Sequence, residues 1–328
     1  MKLSSLVIVL LLTGLSVPSQ MAHAISKTNS PPSEQTVPEH VILFVLEGID
    51  RQALKAGPMP VLDRLVKTGS VTWSATTVTP PLRLPAMASL FTGLPVEKHG
   101  ITWDAFEFSR GYPRPPTVFD YLDLSGGRDS AIFFMDESLY QLAKPEPYTD
   151  YQLCGPLRPE CSPERLVSYI RQYVHKASSG HGYGHAILSL PHFLIVHLPE
   201  ARAASIQGWD SNNYRTALHA VDQAIGAVLN IYREHGLLTS TTVFVTALSG
   251  TGRTQGPSTA DSLLVPWIAS GVGIKAGHSI HQPVSIVDTG ATVLRAFRLT
   301  THTEWDSRAI EEIFRDTGPI SAISTKER

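Results

Sequence analysis

One stretch carries the residues whose types and spacing suggest chemistry: T-P-P-L-R-L-P-A-M-A-S-L-F-T-G-L-P-V-E-K-H-G-I, from Thr79 to Ile101. Pro80, Pro81 and Pro85 interrupt a continuous helix and push the residue before each toward extended geometry. After Pro85 the apolar run Ala86, Met87, Ala88, Leu90 and Phe91 predicts a short buried helix, stopped by Gly93 and Pro95. A loop feeding a helix N-terminus is where an α/β enzyme presents a nucleophile to a phosphate. The residue in the presenting position is Arg83, which is not a nucleophile.

Other candidates are weaker. His175, His181, His185, His192 and His197 are dense, and G-H-G-Y-G-H from Gly180 to His185 has metal-ligating side chains, although such a loop is more often a surface turn. The run S-G-T-G-R-T-Q-G, Ser249 to Gly256, resembles a phosphate-cradling loop but lacks the Lys-Ser/Thr ending. Ser89 and Ser205 have no evident base partner in the sequence. Cys154 and Cys161 sit in C-G-P-L-R-P-E-C, a spacing that suggests a local disulfide in an exported chain.

The elements that must position these residues follow from hydrophobic periodicity. His40 to Leu46 is a continuous apolar, β-branched run, the pattern of a central parallel strand covered on both faces. Further strands are predicted at Ser70 to Val78, Ser130 to Phe134, Phe193 to His197, Thr242 to Ala247 and Leu263 to Ala269. Helices are predicted at Pro60 to Lys67, Thr117 to Leu124, Glu137 to Ala143, Pro163 to Lys176, Ser211 to His235 and Val284 to Phe297. This alternation implies an α/β fold: a doubly wound, mostly parallel sheet with helices on both faces. Pro145 to Pro163 reads as an irregular insertion, and Asp316 to Arg328 as a polar tail. The insertion is a candidate interaction surface, since loops on a rigid scaffold commonly carry binding.

The chain has 328 residues, enough for a sizeable core, and its 42% apolar and 17% charged residues fit a globular protein. A formal net charge of −2 gives no reason to expect a nucleic-acid partner or an anionic membrane surface. Met1-Lys2, the apolar run Leu6 to Val17 and Ala22-His23-Ala24 fit a signal peptide over residues 1–24, with cleavage near Ala24. The run is too short for a stable membrane span. Residues 25–39 read as a flexible, proline-rich lead-in. The expected location is therefore periplasmic or secreted.

From about His40 to Phe314 the chain resembles the type I phosphodiesterase/nucleotide pyrophosphatase branch of the alkaline phosphatase superfamily. The segments that carry the likeness are V-I-L-F-V-L-E-G-I-D, M-P-V-L-D-R-L, L-P-A-M-A-S-L-F-T-G-L-P-V-E-K-H-G-I-T-W, Q-G-W-D-S-N-N-Y-R-T-A-L-H-A-V-D, T-V-F-V-T-A-L-S-G-T-G-R-T-Q-G and L-V-P-W-I-A-S-G-V-G-I-K-A-G. The resemblance implies an alkaline-phosphatase-like core over residues 40–315. In that family two zinc ions, held by aspartates and histidines, activate a Thr or Ser that attacks phosphorus.

Carried over position by position, that cage is absent. The first-strand aspartate falls on Glu47 and the nucleophile on Arg83. The D-x-x-G-H pair falls on Ala201 and Ser205, the D-H pair after the later strand on Leu248 and Ser249, and the last histidine on Gln255. An asparagine that helps hold phosphate in many relatives is Asp104 here, a carboxylate that would repel an anion. Gly48, Pro85, Gly93, His99, Gly100, Gly208, Trp209 and Tyr214 remain as the family has them. The resemblance therefore implies no metal cofactor and no catalysis at this site. The expected role is that of an exported binding or scaffold protein, for an unknown protein partner or an anionic small molecule. The alternative is a phosphate-ester hydrolase with relocated catalytic groups. Because a buried, unpaired carboxylate is costly, Arg83 is expected to pair with Glu47. Arg83 is otherwise, with Arg202 or Arg253, a candidate anion-binding residue.

Overall fold

The run from His40 to Leu46 forms strand β1 (His40–Leu46), and every side chain in it is buried. Only a strand covered on both faces can be apolar without alternation, so β1 belongs in the middle of a layered sheet. The computed structural model describes residues 36–57, 59–142, 149–153, 162–180, 189–251, 260–301 and 303–315. The predicted signal peptide, most of the lead-in, Cys154, Cys161, Arg253, Gln255 and the tail lie outside these residues.

In chain order, β1 is followed by helices α1 (Arg51–Ala56) and α2 (Pro60–Thr68), strand β2 (Gly69–Thr76), helices α3 (Arg83–Thr92), α4 (Val96–His99) and α5 (Val118–Leu124), and strand β3 (Ser130–Phe134). Next come β4 (Thr149–Leu153), α6 (Pro163–Ser178), β5 (Phe193–Leu198), α7 (Glu200–Ser205) and α8 (Asn212–Glu234). The chain continues with β6 (Thr241–Ala247), α9 (Ala260–Leu263), β7 (Leu264–Gly271), β8 (His278–Ser279) and α10 (Asp288–Ala296). Short 3-10 turns occupy Glu137–Leu142 and Glu311–Ile313.

The strands form one sheet in the order β4-β3-β5-β1-β6-β7-β2-β8. From β4 to β6 all neighbours are parallel, with Val41 opposite Phe193 on one side and Thr242 on the other. Strand β7 runs antiparallel to both β6 and β2, so the sheet is mixed but mostly parallel. Helices α2, α6, α7 and α8 pack together as one group, and α3, α4, α5 and α10 as another, covering the two faces.

Local chemistry sets the helix ends. Met59 offers α2 no side-chain cap, and buried Asp222 of α8 substitutes by accepting the Val61 and Leu62 N–H groups at 3.1 and 2.9 Å. Ser211 caps α8 through the Tyr214 N–H. Gly93, at φ 63°, closes α3 in the left-handed conformation that a Cβ disfavours.

Four expectations need correction. Helix α3 begins at Arg83 rather than after Pro85, because a proline in the first turn has no N–H that the helix needs. Residues 145–163 are not wholly irregular, since β4 pairs in parallel with β3. Helix α10 starts at Asp288, not Val284, because the Val284 carbonyl and the Ile286 N–H are bonded to Thr76 at the end of β2. The short helices α1 and α7 were not anticipated.

Candidate functional site

The carboxyl ends of β1, β3, β5 and β6 converge beside the N-terminus of α3, the usual position of a site in an open α/β sheet. Glu47, directly after β1, is fully buried. Its Oε1 accepts hydrogen bonds from Arg83 Nε at 2.5 Å and His197 Nε2 at 2.7 Å, and its Oε2 accepts one from Arg202 Nη1 at 2.7 Å. The pairing of Arg83 with Glu47 is the one that the cost of an isolated buried carboxylate demands. His197 Nδ1 accepts the Met135 N–H at 3.3 Å, which makes Nε2 the protonated nitrogen. Burial pushes the Glu47 carboxyl up, but the contacts with His197 and Arg83 outweigh it and hold the group at about 2.

The network extends outward on both sides. Arg83 Nη1 donates to Asp136, whose other oxygen accepts the Ser138 N–H and hydroxyl. Arg202 Nη2 lies 3.7 Å from Asp104 Oδ2, and Asp104 Oδ1 accepts the Leu84 N–H at 2.8 Å. Asp104 thus occupies the anion position at the start of α3 with a side chain of the protein itself. Two guanidiniums face three carboxylates, Glu47, Asp104 and Asp136, so the cluster supplies its own counter-charges.

Among the described residues, the singled-out positions Arg83, Asp104, Ala201, Arg202, Leu248 and Ser249 lie around the end of β1. The Gly48 N–H bonds Ser249 Oγ at 3.1 Å, the Leu248 N–H bonds the Leu46 carbonyl at 2.8 Å, and Gly48 lies against the backbone of Ala201 and Arg202. Ala201 and Leu248 are buried and apolar, while Ser205 Oγ is bonded to the Arg202 carbonyl of its own turn. Tyr214 locks the strand end, its hydroxyl donating to the Gly48 carbonyl and accepting the Asp50 N–H. The donor set does not fit a pair of zinc ions. Such a cage needs several free carboxylates and imidazoles, and among the described residues at the end of β1 the Glu47 carboxylate is held by two guanidiniums and an imidazole N–H.

The remaining candidates are dispersed. His192 and His197 stand at opposite ends of β5, roughly 16 Å apart at ~3.3 Å per residue, and His175 is exposed on α6. His181 and His185 lie outside the described residues. Ser89 does have a histidine partner, His99 Nε2 at 2.9 Å. His99 Nδ1, however, accepts the Ile101 N–H, so Nε2 carries the proton and donates to Ser89. Burial pushes His99 down to about 4, and the pair is a buried structural contact rather than a nucleophile with its base.

Sequence reasoning missed Asp136 and Glu200. Asp136 follows the last strand residue by two places, the kind of strand-end acid that could have drawn notice. Glu200 opens α7, and neither of its buried carboxylate oxygens has a well-formed hydrogen bond among the described residues. Burial pushes it up to about 7 against the pull of its own backbone N–H, with lesser help from the charges of Glu164 and Glu47. A carboxyl whose folded pKa exceeds its unfolded one leaves stability intact below pH 4.5 and withdraws it as pH rises toward 7. Replacing Glu200 with leucine should therefore raise stability by about 1–2 kcal/mol at pH 8 and by much less at pH 4.5, measured by urea denaturation.

Comparison with known proteins agrees with this fold. No curated relative matches the sequence. Murine ectonucleotide pyrophosphatase/phosphodiesterase 5, solved as an inactive form in complex with AMP, is similar at TM-score 0.64 and 12% identity, over 84% of this chain and 99% of that one. A putative sulfatase from Bacteroides thetaiotaomicron is similar at TM-score 0.63 and 14% identity, over 86% of this chain and 76% of that one. A 2-O GAG sulfatase gives TM-score 0.64 and 14% identity, over 84% and 73%. At these identities the likeness shows a shared fold. The family model for type I phosphodiesterase / nucleotide pyrophosphatase matches residues 41–266, more than half of the sequence. By that match the chain belongs to the type I phosphodiesterase / nucleotide pyrophosphatase family, within the alkaline phosphatase superfamily.

Proposed function

We propose that this protein is a non-catalytic member of its family, exported and acting as a binding or scaffold protein. The observation that carries the reading is the saturation of Glu47 by Arg83, Arg202 and His197. Two guanidiniums held against the Glu47 carboxylate neutralise it and repel a cation, and Arg83 stands at the first position of α3, where a hydroxyl would be needed. No metal is proposed at the strand ends. The run of apolar residues near the N-terminus, followed by Ala22-His23-Ala24, supports export.

Two features bear on the ligand. The surplus of carboxylates over guanidiniums disfavours a free anion at Arg83, which favours a protein partner over an anionic small molecule. The loop after Asp104 also presents Phe106, Phe108 and Tyr112 to solvent, with Phe108 89% exposed. Its backbone is nevertheless fixed: buried Gln141 accepts the Trp103 Nε1–H and the Glu107 N–H, and donates to the Glu107 and Gly111 carbonyls. A held loop with exposed aromatic rings suits protein recognition.

The test is hydrolysis of bis(4-nitrophenyl) phosphate by protein loaded with zinc and desalted. The expected rate equals that of the buffer blank. Turnover that falls in Glu47→Gln would overturn the reading and restore the old site. Turnover that survives Glu47→Gln would favour a hydrolase with relocated groups.

A further inference from the structure

Away from the strand ends, the last strand of the sheet meets the C-terminal part of the described chain. The Lys275 N–H bonds the Ile313 carbonyl, Lys275 Nζ bonds the Glu312 carbonyl, and Ile274 bridges Phe314. This packing lays the 3-10 turn Glu311–Ile313 across β8 and the residues after it. His278, His281 and Glu312 come together there, with ligand atoms all within 4.8 Å of one another.

We propose that these three side chains form a binding site for one divalent transition-metal ion, with zinc the best match. The ligand types are right, since two imidazoles and a carboxylate suit zinc and its neighbours better than magnesium or calcium. Spacing points the same way. Glu312 Oε2 lies 3.3 Å from His278 Nε2 and 3.5 Å from His281 Nδ1. A tetrahedral zinc ion with bonds of about 2.0–2.2 Å holds its ligand atoms ~3.3–3.5 Å apart. Two edges of the tetrahedron are therefore set before any ion arrives. The histidine–histidine edge is within 4.8 Å, and the His281 side chain, 79% exposed, has solvent on its open side for a small adjustment.

The carboxylate is also preorganised. Glu312 Oε1 accepts the His281 and Gln282 N–H groups at 2.9 and 2.8 Å, which aims Oε2 at both rings. Outer hydrogen bonds of this kind orient ligands and strengthen a metal site. Lys275, the nearby cation, bonds the main-chain carbonyl of Glu312 rather than its carboxylate. Three protein ligands leave the fourth position for water or for a side chain of another molecule. The ion would tie the turn at Glu311–Ile313 to the edge of the sheet.

The site is independent of the proposed loss of catalysis, and the two readings fail separately. The experiment is calorimetric titration of zinc into chelator-stripped, full-length protein, with cobalt absorption reporting coordination geometry. One site per chain is expected, with a cobalt spectrum of tetrahedral type. His278→Ala and Glu312→Gln should each abolish it, while His219→Ala on α8 should leave it unchanged. His281→Ala alters an exposed side chain and keeps the test decisive should another variant misfold. No zinc binding by the wild type, or binding unaffected in all three site variants, would overturn the proposal. Zinc that is instead lost in Glu47→Gln would count against the emptied strand-end site.

Discussion

Replacing Arg83 with methionine is expected to cost about 3–5 kcal/mol of folding free energy at pH 7, because it leaves a buried carboxylate short of its closest cation. Methionine keeps much of the side-chain bulk, so packing changes little. Arg202 and His197 still reach Glu47, which sets the loss below that of a wholly unpaired charge. Asp136 also loses its partner but is 27% exposed, so water compensates it. The pH dependence separates this cause from a packing defect. In the wild type Glu47 is held at about 2, so its bonds contribute stability above the ordinary value of 4.5 and lose it as pH falls toward 2. Without Arg83 one of the contacts that offset burial is lost, and the carboxyl protonates at higher pH than in the wild type. The gap between the two proteins should therefore narrow as pH falls from about 4.5 toward 2 in urea denaturation. A gap that stays constant would mean that Arg83 acts by packing alone. A loss under about 1 kcal/mol at pH 7 would mean that Arg202 and His197 suffice.

Gly48→Ala should be comparably damaging, by about 2–5 kcal/mol, through strain and overlap together. Gly48 has φ +65°, and an added Cβ would lie 2.5 Å from Arg202 Cα and 2.9 Å from Arg202 N. Those are backbone atoms, so the clash is relieved only by moving α7. Moving α7 pulls Arg202 off Glu47, which makes the two effects interdependent. The check is a double-mutant cycle: Gly48→Ala and Arg202→Ala combined should cost less than their sum, because the first already weakens what the second removes. Strict additivity would show that α7 does not move.

The contrast between what could and could not be read from the sequence has a physical basis. Strands such as β1, β3 and β6 were legible because unbroken apolar runs leave a central parallel strand as the natural solution. Helix α8 was legible from its 3.6-residue period and the serine cap before it. The six-residue helices α1 and α7 were not, since each spans under two turns and shows no periodicity. Strand β4, T-D-Y-Q-L, is a polar-leaning run inside a proline-bounded insertion, and its pairing with β3 is a tertiary fact. At the site, the Glu47–Arg83 contact followed from charge alone. Asp136, Asp104 and Arg202 lie 53, 21 and 119 residues from the nearer of those two partners, and only the fold shows that they close the network. The burial of Glu200 was hidden for the same reason.

Asp104 reaches back to the first turn of α3 and fills the place of an incoming anion. Together with the three donors on Glu47, it makes the strand-end charges a single interlocked set. A substitution that placed a hydroxyl at position 83 would take a cation from buried Glu47, as Arg83→Met is expected to do. On the proposed non-catalytic reading, gaining phosphoryl transfer would therefore require several changes at once, beginning with one that costs stability. For an engineer the same interlock would then be useful: the surfaces of such a scaffold could be remodelled for binding with little risk of acquiring hydrolysis.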